Sequence, residues 1–317
     1  MSLDGVLVVD KPPARTSFAV VHEVRRLTGA TKAGHAGTLD PMATGVLAVC
    51  LGEATKAAAF LLADEKEYEA EVVLGARTDS DDAEGAVVET RPLPAALDEA
   101  RVAAALAAFL GPQRQRPPQI SAVHVQGRRA YQRARAGEEV DLAERDVVVH
   151  ALELRAFAPP RLRLRVHASK GFYVRALARD LGAALGTVAH LGVLRRTRSG
   201  AFAIAQALPL EEIARRCAAG APLPLVSCAE ALAGLPLVAL DRAAAVAVRT
   251  GRPPRAADLR AQAPAVPAGA ADARLVDPDG RLVAVVALPP AAAGASAAGA
   301  AADELATIRR VFFANVR

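Results

Sequence analysis

Apolar and polar residues alternate in several short stretches of the chain, and this period of two is typical of strands with one exposed face. In residues 67–74, glutamates alternate with tyrosine, alanine and valine positions. In residues 161–167, arginines alternate with leucines and a valine in the same way. Short apolar runs predict further strands at residues 5–9, 46–51, 152–157, 237–240 and 282–288.

Apolar residues three to four positions apart predict helices between these strands. The first helix carries Val20, Val24 and Leu27 on one face, and Ser17 is predicted to cap its N-terminus. A Gly-rich segment at residues 29–45 is predicted to be mostly irregular. The order of elements has no regular β–α–β repeat, which favours an α+β fold with a mostly antiparallel mixed sheet flanked by helices. The other predicted helices cover residues 53–62, 98–110 and 173–185.

The character of the chain changes near residue 235, where short apolar runs stand among Pro- and Ala-rich loops. Asp277-Pro278-Asp279-Gly280 is a hairpin signal between two such runs. We therefore predict a larger domain over residues 1–233 and a small β-rich domain over residues 235–317. Ala- and Pro-rich insertions at residues 261–271 and 289–302 interrupt the second domain.

The chain is basic, because it has 39 Lys and Arg residues against 34 Asp and Glu residues and a net charge of +5. Five of these basic residues are Lys and 34 are Arg, whose guanidinium binds phosphate through two hydrogen bonds. A coding bias toward Ala, Arg, Gly and Pro explains the same excess equally well. The three widely spaced cysteines provide neither a disulfide framework nor a zinc pair, so we expect a reducing, cytoplasmic location. The longest charge-free run, residues 282–302, contains prolines and glycines, so no membrane span is expected.

Several chemical motifs are excluded by spacing. No lysine follows a glycine, which excludes a Walker A loop, and the six histidines form no metal-ligand pair. The acidic residues 79–84 lack the glycine and glutamate positions of a calcium-binding EF-hand loop. They are therefore predicted to form a solvated acidic turn, and neither a metal nor a cofactor is predicted.

The segment from residue 34 to residue 45 carries the candidate chemistry. It holds three glycines, a proline and a single carboxylate, Asp40, immediately before a predicted buried strand. Glycines permit close backbone approach, and a loop braced by a sheet is a common place for a functional residue. Asp40 is thus a candidate nucleophile or base with no second carboxylate beside it. The alternative is a turn-forming aspartate before Pro41.

This segment, together with residues 51–56, resembles the signature of the TruB family of pseudouridine synthases. The matches cover most of residues 5–200 in the order in which the family has them. The C-terminal part resembles a diverged PUA domain, a small RNA-binding β-barrel. Further matching segments are residues 10–12, 66–68, 118–122, 126–127, 130–131, 169–175 and 191–196.

The resemblance implies a pseudouridine synthase catalytic fold and an isomerase that makes pseudouridine at position 55 in the T arm of tRNA. Uracil is detached from C1′, turned and rejoined through C5, without cofactor or metal. Asp40 matches the catalytic aspartate and is expected to act as nucleophile. Arg175 matches the arginine that pairs with it, and such pairing favours the ionised carboxylate. Tyr68 matches the tyrosine that stacks on the target base and is a candidate acceptor of the C5 proton.

Three further residues match positions that contact the substrate in the family. Tyr173 and Leu194 match residues that line the uracil pocket. His35 matches the histidine that fills the gap left by the flipped nucleotide. Base flipping is expected because a stacked base is out of reach of an enzyme.

The partner implied by the resemblance is the T stem-loop of tRNA, bound by a monomer without a guide RNA. Two sets of arginines are candidates for phosphate contacts, and the first set is also explained as a solvated strand face. The alternatives are a non-catalytic RNA-binding protein and a guide-dependent synthase, and the lack of long basic tails disfavours the latter. The two sets are Arg161, Arg163 and Arg165, and Arg195, Arg196 and Arg198.

Overall fold

The structure is a computed structural model that describes residues 3–62, 65–120, 124–125, 128–129, 142–263, 269, 271–290 and 304–312. The family matches at residues 121–122, 126–127 and 130–131 lie outside the described residues, as do most of the predicted insertions. The strands are β1 Gly5–Lys11, β2 Ala33–Ala36, β3 Thr44–Leu51, β4 Lys66–Leu74, β5 Ala76–Thr78, β6 Val87–Thr90, β7 Gly111–Gln115, β8 His124–Val125, β9 Arg128–Arg129, β10 Arg145–Ala158, β11 Arg161–Ala168, β12 Ala189–Ser199, β13 Phe202–Ala203, β14 Leu208–Pro209, β15 Leu237–Ala239, β16 Ala271–Val276, β17 Leu282–Leu288 and β18 Thr307–Val311.

Eight α-helices lie within the described residues, and short 3₁₀ helices cover Gly52–Lys56 and Ile204–Gln206. None of the helices in this part of the chain is long and apolar enough to cross a membrane. The α-helices are α1 Ser17–Thr28, α2 Ala58–Leu61, α3 Glu99–Ala107, α4 Val174–Ala184, α5 Leu210–Ala218, α6 Cys228–Ala231, α7 Arg242–Arg249 and α8 Ala256–Gln262.

Ten strands form one mixed sheet in the order β14-β1-β3-β12-β4-β11-β10-β7, with β2 beside β3 and β13 beside β12. The pairs β1–β14 and β3–β12 are parallel, and the other pairs are antiparallel. The predicted α+β class with a mostly antiparallel mixed sheet is therefore confirmed. Helices α3 and α4 contribute buried side chains to the core that covers one face of strands β4, β11 and β12.

The close approach of β3 to β12 depends on a glycine. Gly45 has φ +98°, and a Cβ atom at this position would lie 2.2 Å from the backbone oxygen of Arg196. No side chain fits there, which is the close backbone approach that the sequence predicts for this glycine. The loop at residues 37–43, which we call the Asp40 loop, leads directly into β3. It is therefore held close to β12, near the middle of the sheet.

Three local predictions are corrected. Thr16, rather than Ser17, caps α1, because Thr16 has extended dihedral angles and its Oγ1 accepts from Ala19 N at 3.1 Å. The segment predicted to be irregular at residues 29–45 contains β2, which pairs with β3. The predicted helix at residues 53–62 is a 3₁₀ turn followed by the one-turn helix α2, which begins after Ala57.

The C-terminal region contains a four-stranded sheet in the order β15-β16-β17-β18. The predicted hairpin joins β16 to β17, and Asp277 Oδ1 accepts from the backbone N–H groups of Asp279 and Arg281 in its turn. Within the described residues this sheet is open, with β15 and β18 at its edges, and it does not close into the predicted barrel. Leu282 and Phe312 pack in one apolar cluster with residues of β1 and β3.

Candidate active site

Asp40 lies in the middle of the Asp40 loop, where its carboxylate meets a guanidinium from the first turn of α4. Arg175 Nη2 donates to Asp40 Oδ1 at 3.2 Å, and Arg175 Nε lies 3.0 Å from Asp40 Oδ2. The Arg175 side chain is 5% exposed, whereas a third of the Asp40 side chain is exposed. Fold and packing thus join two residues that are 135 positions apart, and Asp40 is the member of the pair that an incoming molecule can reach.

A second carboxylate reaches the same guanidinium from the other side. Arg175 Nη1 lies 3.4 Å from Asp82 Oδ2 and donates to the backbone oxygen of Ser80 at 3.0 Å. The Asp82 side chain is 5% exposed, and its Oδ1 accepts from Ser80 Oγ at 2.7 Å. The prediction that Asp40 has no carboxylate near it is therefore wrong, because the fold brings Asp82 to the shared arginine.

The acidic residues 79–84 form the predicted turn, but among its acidic residues only Asp79 and Glu84 are exposed to solvent. Asp81 and Asp82 are buried, and Asp81 Oδ2 lies 3.3 Å from Arg179 Nη1. Arg175 and Arg179 are four residues apart and therefore lie on one face of α4. Sequence reasoning missed these pairs, and the available signal was two arginines at helical spacing on an otherwise apolar face, which need buried acidic partners.

The proton equilibrium of Asp40 is set by opposing effects. Burial raises the pKa of Asp40 above its usual value, the neighbouring Asp82 charge raises it further, and the Arg175 guanidinium lowers it. The prediction that Arg175 favours the ionised carboxylate has the right direction, since its guanidinium lowers the pKa of Asp40, but burial has the larger effect and the net shift of this pKa is upward. The carboxylate that results is more basic than that of an exposed aspartate.

Tyr68 lies on β4 with its ring in the buried core next to the Asp40 loop. Burial raises the pKa of the Tyr68 hydroxyl, and the nearby Arg196 charge opposes this shift. The phenol is therefore protonated at neutral pH. The Asp40 charge also acts on Tyr68, which places the aromatic ring and the carboxylate in one electrostatic environment.

Arg196 is buried beneath this site, with 1% of its surface exposed. Its Nε donates to Val46 O at 2.8 Å, and its Nη2 donates to Gly37 O at 3.1 Å. The prediction that Arg196 contacts phosphate is wrong, because its N–H groups bond backbone oxygens inside the protein. Its contact with Gly37 fixes the start of the Asp40 loop.

The remaining predicted substrate contacts come from three elements: β2, β12 and the residue before α4. Tyr173 immediately precedes α4, and its backbone exchanges two hydrogen bonds with the Gln115 amide, at 2.8 and 3.1 Å. Leu194 is buried in the cluster that contains Tyr68. His35 lies on β2, and its Nδ1 is buried without a hydrogen-bond partner among the described residues. Burial lowers the pKa of His35, so its imidazole is neutral.

The other candidate phosphate-binding arginines lie on the opposite face of the sheet, in contact with carboxylates. Arg195 Nη2 lies 2.8 Å from Asp10 Oδ2, and Arg198 Nη2 lies 2.7 Å from Glu67 Oε1. The candidates on β11 pair with glutamates of β4 and β10 in the same way, namely Arg161 and Arg163 with Glu71, and Arg165 with Glu67 and Glu153.

A carboxylate held by an arginine beside a buried tyrosine defines a candidate centre for acid–base or nucleophilic chemistry. Within the described part of the chain, no group of three or more His, Cys, Asp or Glu side chains is arranged to hold a metal ion. The fold is similar to that of a solved complex of Cbf5, Nop10 and Gar1, with a TM-score of 0.72 and 26% identity over 98% of this chain and 85% of that chain. The class is thus that of the pseudouridine synthase fold.

Two family models match the chain and define its family within this fold class. The model described as "TruB family pseudouridylate synthase (N terminal domain)" matches residues 25–174, and that of the "tRNA pseudouridylate synthase B C-terminal domain" matches residues 175–222. The chain is 42% identical to tRNA pseudouridine synthase B of Xanthomonas campestris pv. campestris (strain B100), over 88% of this chain and 92% of the relative. It is 51% identical to the Thermobifida fusca protein of that name, over 67% of this chain and 74% of the relative.

The chain therefore belongs to the TruB family. It is a tRNA pseudouridylate synthase, which is an isomerase. The predicted family, enzyme class and overall reaction are confirmed.

Proposed function

We propose that the chain isomerises uridine 55 in the T arm of tRNA, with Asp40 as the catalytic nucleophile. The observation that carries this proposal is the partly exposed Asp40 carboxylate, fixed by buried Arg175 and next to Tyr68. A nucleophile needs both access for the substrate and a fixed direction, and this carboxylate has both.

The reaction breaks the bond between N1 of uracil and C1′ of the ribose and forms a bond between C5 and C1′. One proton leaves C5 and one is gained at N1, so the product has the composition of the substrate. Asp40 acts at the centre where these bonds change. Arg175 orients the carboxylate and stabilises its charge, while the protonated Tyr68 provides an aromatic face for the base.

The target base has to leave its stack before Asp40 can act on it. We propose that Tyr68 receives the flipped uracil, that Tyr173 and Leu194 line its pocket, and that His35 fills the position left in the RNA. A neutral imidazole supports this role for His35, because it stacks among bases without a charge to solvate. Tyr68 and Leu194 share one apolar cluster with Leu39 and Ala43 of the Asp40 loop, and the Asp40 charge acts on both Tyr68 and Tyr173, which supports a single pocket for these three side chains.

We further propose that residues 1–233 form the catalytic domain and that residues 235–317 form an RNA-binding domain related to PUA domains. The separate open sheet of the C-terminal region supports this division. The enzyme then acts as a monomer in the cytoplasm on tRNA alone, without a guide RNA. The arginine excess agrees with a nucleic-acid substrate.

The proposal is tested with purified enzyme and an unmodified tRNA transcript, with no other RNA added. We expect pseudouridine at position 55, no product from a transcript with cytidine at that position, and a rate at least ~10³-fold lower for Asp40→Asn. Asp98→Asn is the matched control, since the Asp98 carboxylate accepts the exposed capping bond from Arg101 N of α3 and asparagine is an equally good cap. Wild-type activity in Asp40→Asn would overturn the assignment of Asp40.

A further inference from the structure

Ser17 has a hydroxyl that the capping of α1 does not use. Thr16 accepts the capping bond from Ala19 N, which leaves Ser17 Oγ directed toward the Asp40 loop. Ser17 is 2% exposed, and its Oγ accepts from Leu39 N at 2.8 Å and donates to Leu39 O at 3.1 Å. One side chain therefore satisfies both backbone groups of the residue that directly precedes Asp40.

Two other buried side chains hold the same loop on either side. Arg196 bonds the oxygen of Gly37, and Lys11 Nζ donates to Pro41 O at 3.0 Å. Lys11 is fully buried, and burial lowers its pKa to about 8. Ser17 differs from both because Leu39 O belongs to the peptide unit that ends at the Cα atom of Asp40, so its bond fixes the plane from which the carboxylate projects.

We propose that Ser17 is a positioning residue that orients Asp40 for reaction, an inference that rests on the proposed function of Asp40. Among the described residues no backbone group bonds the N–H or the oxygen of Leu39, so the Ser17 hydroxyl supplies the polar contacts that fix this peptide, while the Leu39 side chain packs in the core. A hydroxyl donates and accepts at once, which no apolar side chain of similar size does. Loss of both bonds lets the carboxylate move against the rigid, buried Arg175 guanidinium.

The test compares Ser17→Ala with Thr16→Ala in the full-length protein. Both variants remove a hydroxyl at the start of α1, but only the first removes bonds to Leu39. The measurements are the single-turnover rate constant on a tRNA transcript, the Kd for the same RNA, and Tm. Asp40→Asn and Ser17→Thr are measured beside them.

We expect Ser17→Ala to lower the rate constant by about 10- to 100-fold, because displacements near 1 Å at a reacting group have effects of this size. Its Kd changes by less than about 3-fold, since phosphate contacts dominate RNA affinity. Thr16→Ala lowers Tm through the lost cap but keeps the rate constant within about 2-fold of wild type. Ser17→Thr keeps a hydroxyl and recovers most of the rate.

A wild-type rate constant in Ser17→Ala overturns the inference, and so does an equal loss in Ser17→Ala and Thr16→Ala, which marks a general effect on α1. If Ser17→Ala does not fold, Ser17→Cys replaces it, because a thiol of similar volume makes only weak hydrogen bonds; a wild-type rate there also overturns the inference. Wild-type activity in Asp40→Asn would instead reject the proposed function, so the two failures are distinguishable.

Discussion

Arg195 and Arg196 are neighbours on β12, yet they belong to two physically different regions of the protein. Arg195 lies opposite Glu69 on the outer face of the sheet, a third of its side chain is exposed, and it pairs with Asp10. Arg196 lies opposite Tyr68 on the inner face, is fully buried and bonds the backbone of the Asp40 loop. The arginine on the outer face thus contacts solvent and an acidic side chain, whereas the arginine on the inner face holds the backbone of the active-site loop.

The contrast extends over the two faces of β4 and its neighbours. The outer face carries ion pairs whose arginines are exposed, such as Arg163 with Glu71, and solvent-screened pairs of this kind contribute little to stability. The inner face carries the Asp40–Arg175–Asp82 chain, in which Arg175 and Asp82 are buried. A buried charge that loses its partner is strongly destabilising, so the two faces respond very differently to the same kind of substitution.

Arg175→Gln is expected to have the largest effect. It removes the positive charge that pairs with the buried Asp82 and leaves the Asp40 carboxylate unheld. The rate should therefore fall at least ~100-fold, and the free energy of unfolding should fall by about 3–5 kcal/mol. Denaturant unfolding and single-turnover kinetics measure the two effects. A rate within 3-fold of wild type would show that the inner ion pairs are not part of the active site.

Arg196→Met and Arg195→Met together test the difference between the inner and the outer face of the sheet. We expect Arg196→Met to lower the free energy of unfolding by about 2–4 kcal/mol, because the oxygens of Gly37 and Val46 lose their donor inside the protein. Arg195→Met is expected to change it by less than about 1 kcal/mol. Equal losses in urea unfolding would remove the distinction between the faces.

Asp82→Asn tests the electrostatics of the inner face through pH. The Asp82 charge raises the pKa of Asp40, so its removal lowers that pKa, and the ionised carboxylate persists to lower pH. The acidic limb of kcat/KM against pH, which follows ionisation of Asp40 in the free enzyme, should move to lower pH, while the maximum rate falls. A limb that stays in place or moves to higher pH would contradict this coupling.

Arg163→Ala, on the outer face, is expected to have the smallest effect. Its side chain is 73% exposed and its nitrogen lies 3.6 Å from Glu71, so Tm should stay within about 2 °C of wild type. The Kd for tRNA should change by less than about 3-fold. A tenfold loss of RNA affinity would instead make the outer face part of the tRNA-binding surface.

The alternation of residues 161–167 predicts the outward direction of its arginines correctly, since that strand keeps a regular period of two. The phosphate-contact prediction fails at Arg196, because Arg196 lies two residues after the buried Leu194 and therefore faces the same inner side of β12. Asp82 was missed because no local pattern connects an acidic turn to a helix that far along the chain. Ser17 was taken for a cap because caps are uncertain by one residue in sequence alone.

The residues of the candidate site were predicted from sequence motifs rather than from the periodicity of apolar positions. The residues around Asp40, taken alone, favoured a turn-forming aspartate over a catalytic one, and the ordered set of motifs supplied the catalytic assignment. The packing of the structure adds the exposure and the partners of each residue, which sequence motifs do not contain. It shows that Asp40 is reached from outside, while Arg175 is closed off and held by a second carboxylate.

The central claim is that the chemistry resides on the inner face at Asp40. The most direct measurement maps pseudouridine in tRNA from cells that lack this gene and carry the wild type, Asp40→Asn or the outer-face variant Glu71→Gln instead. We predict that position 55 loses pseudouridine without the gene, regains it with the wild type and Glu71→Gln, and does not regain it with Asp40→Asn. Pseudouridine restored by Asp40→Asn would contradict the account.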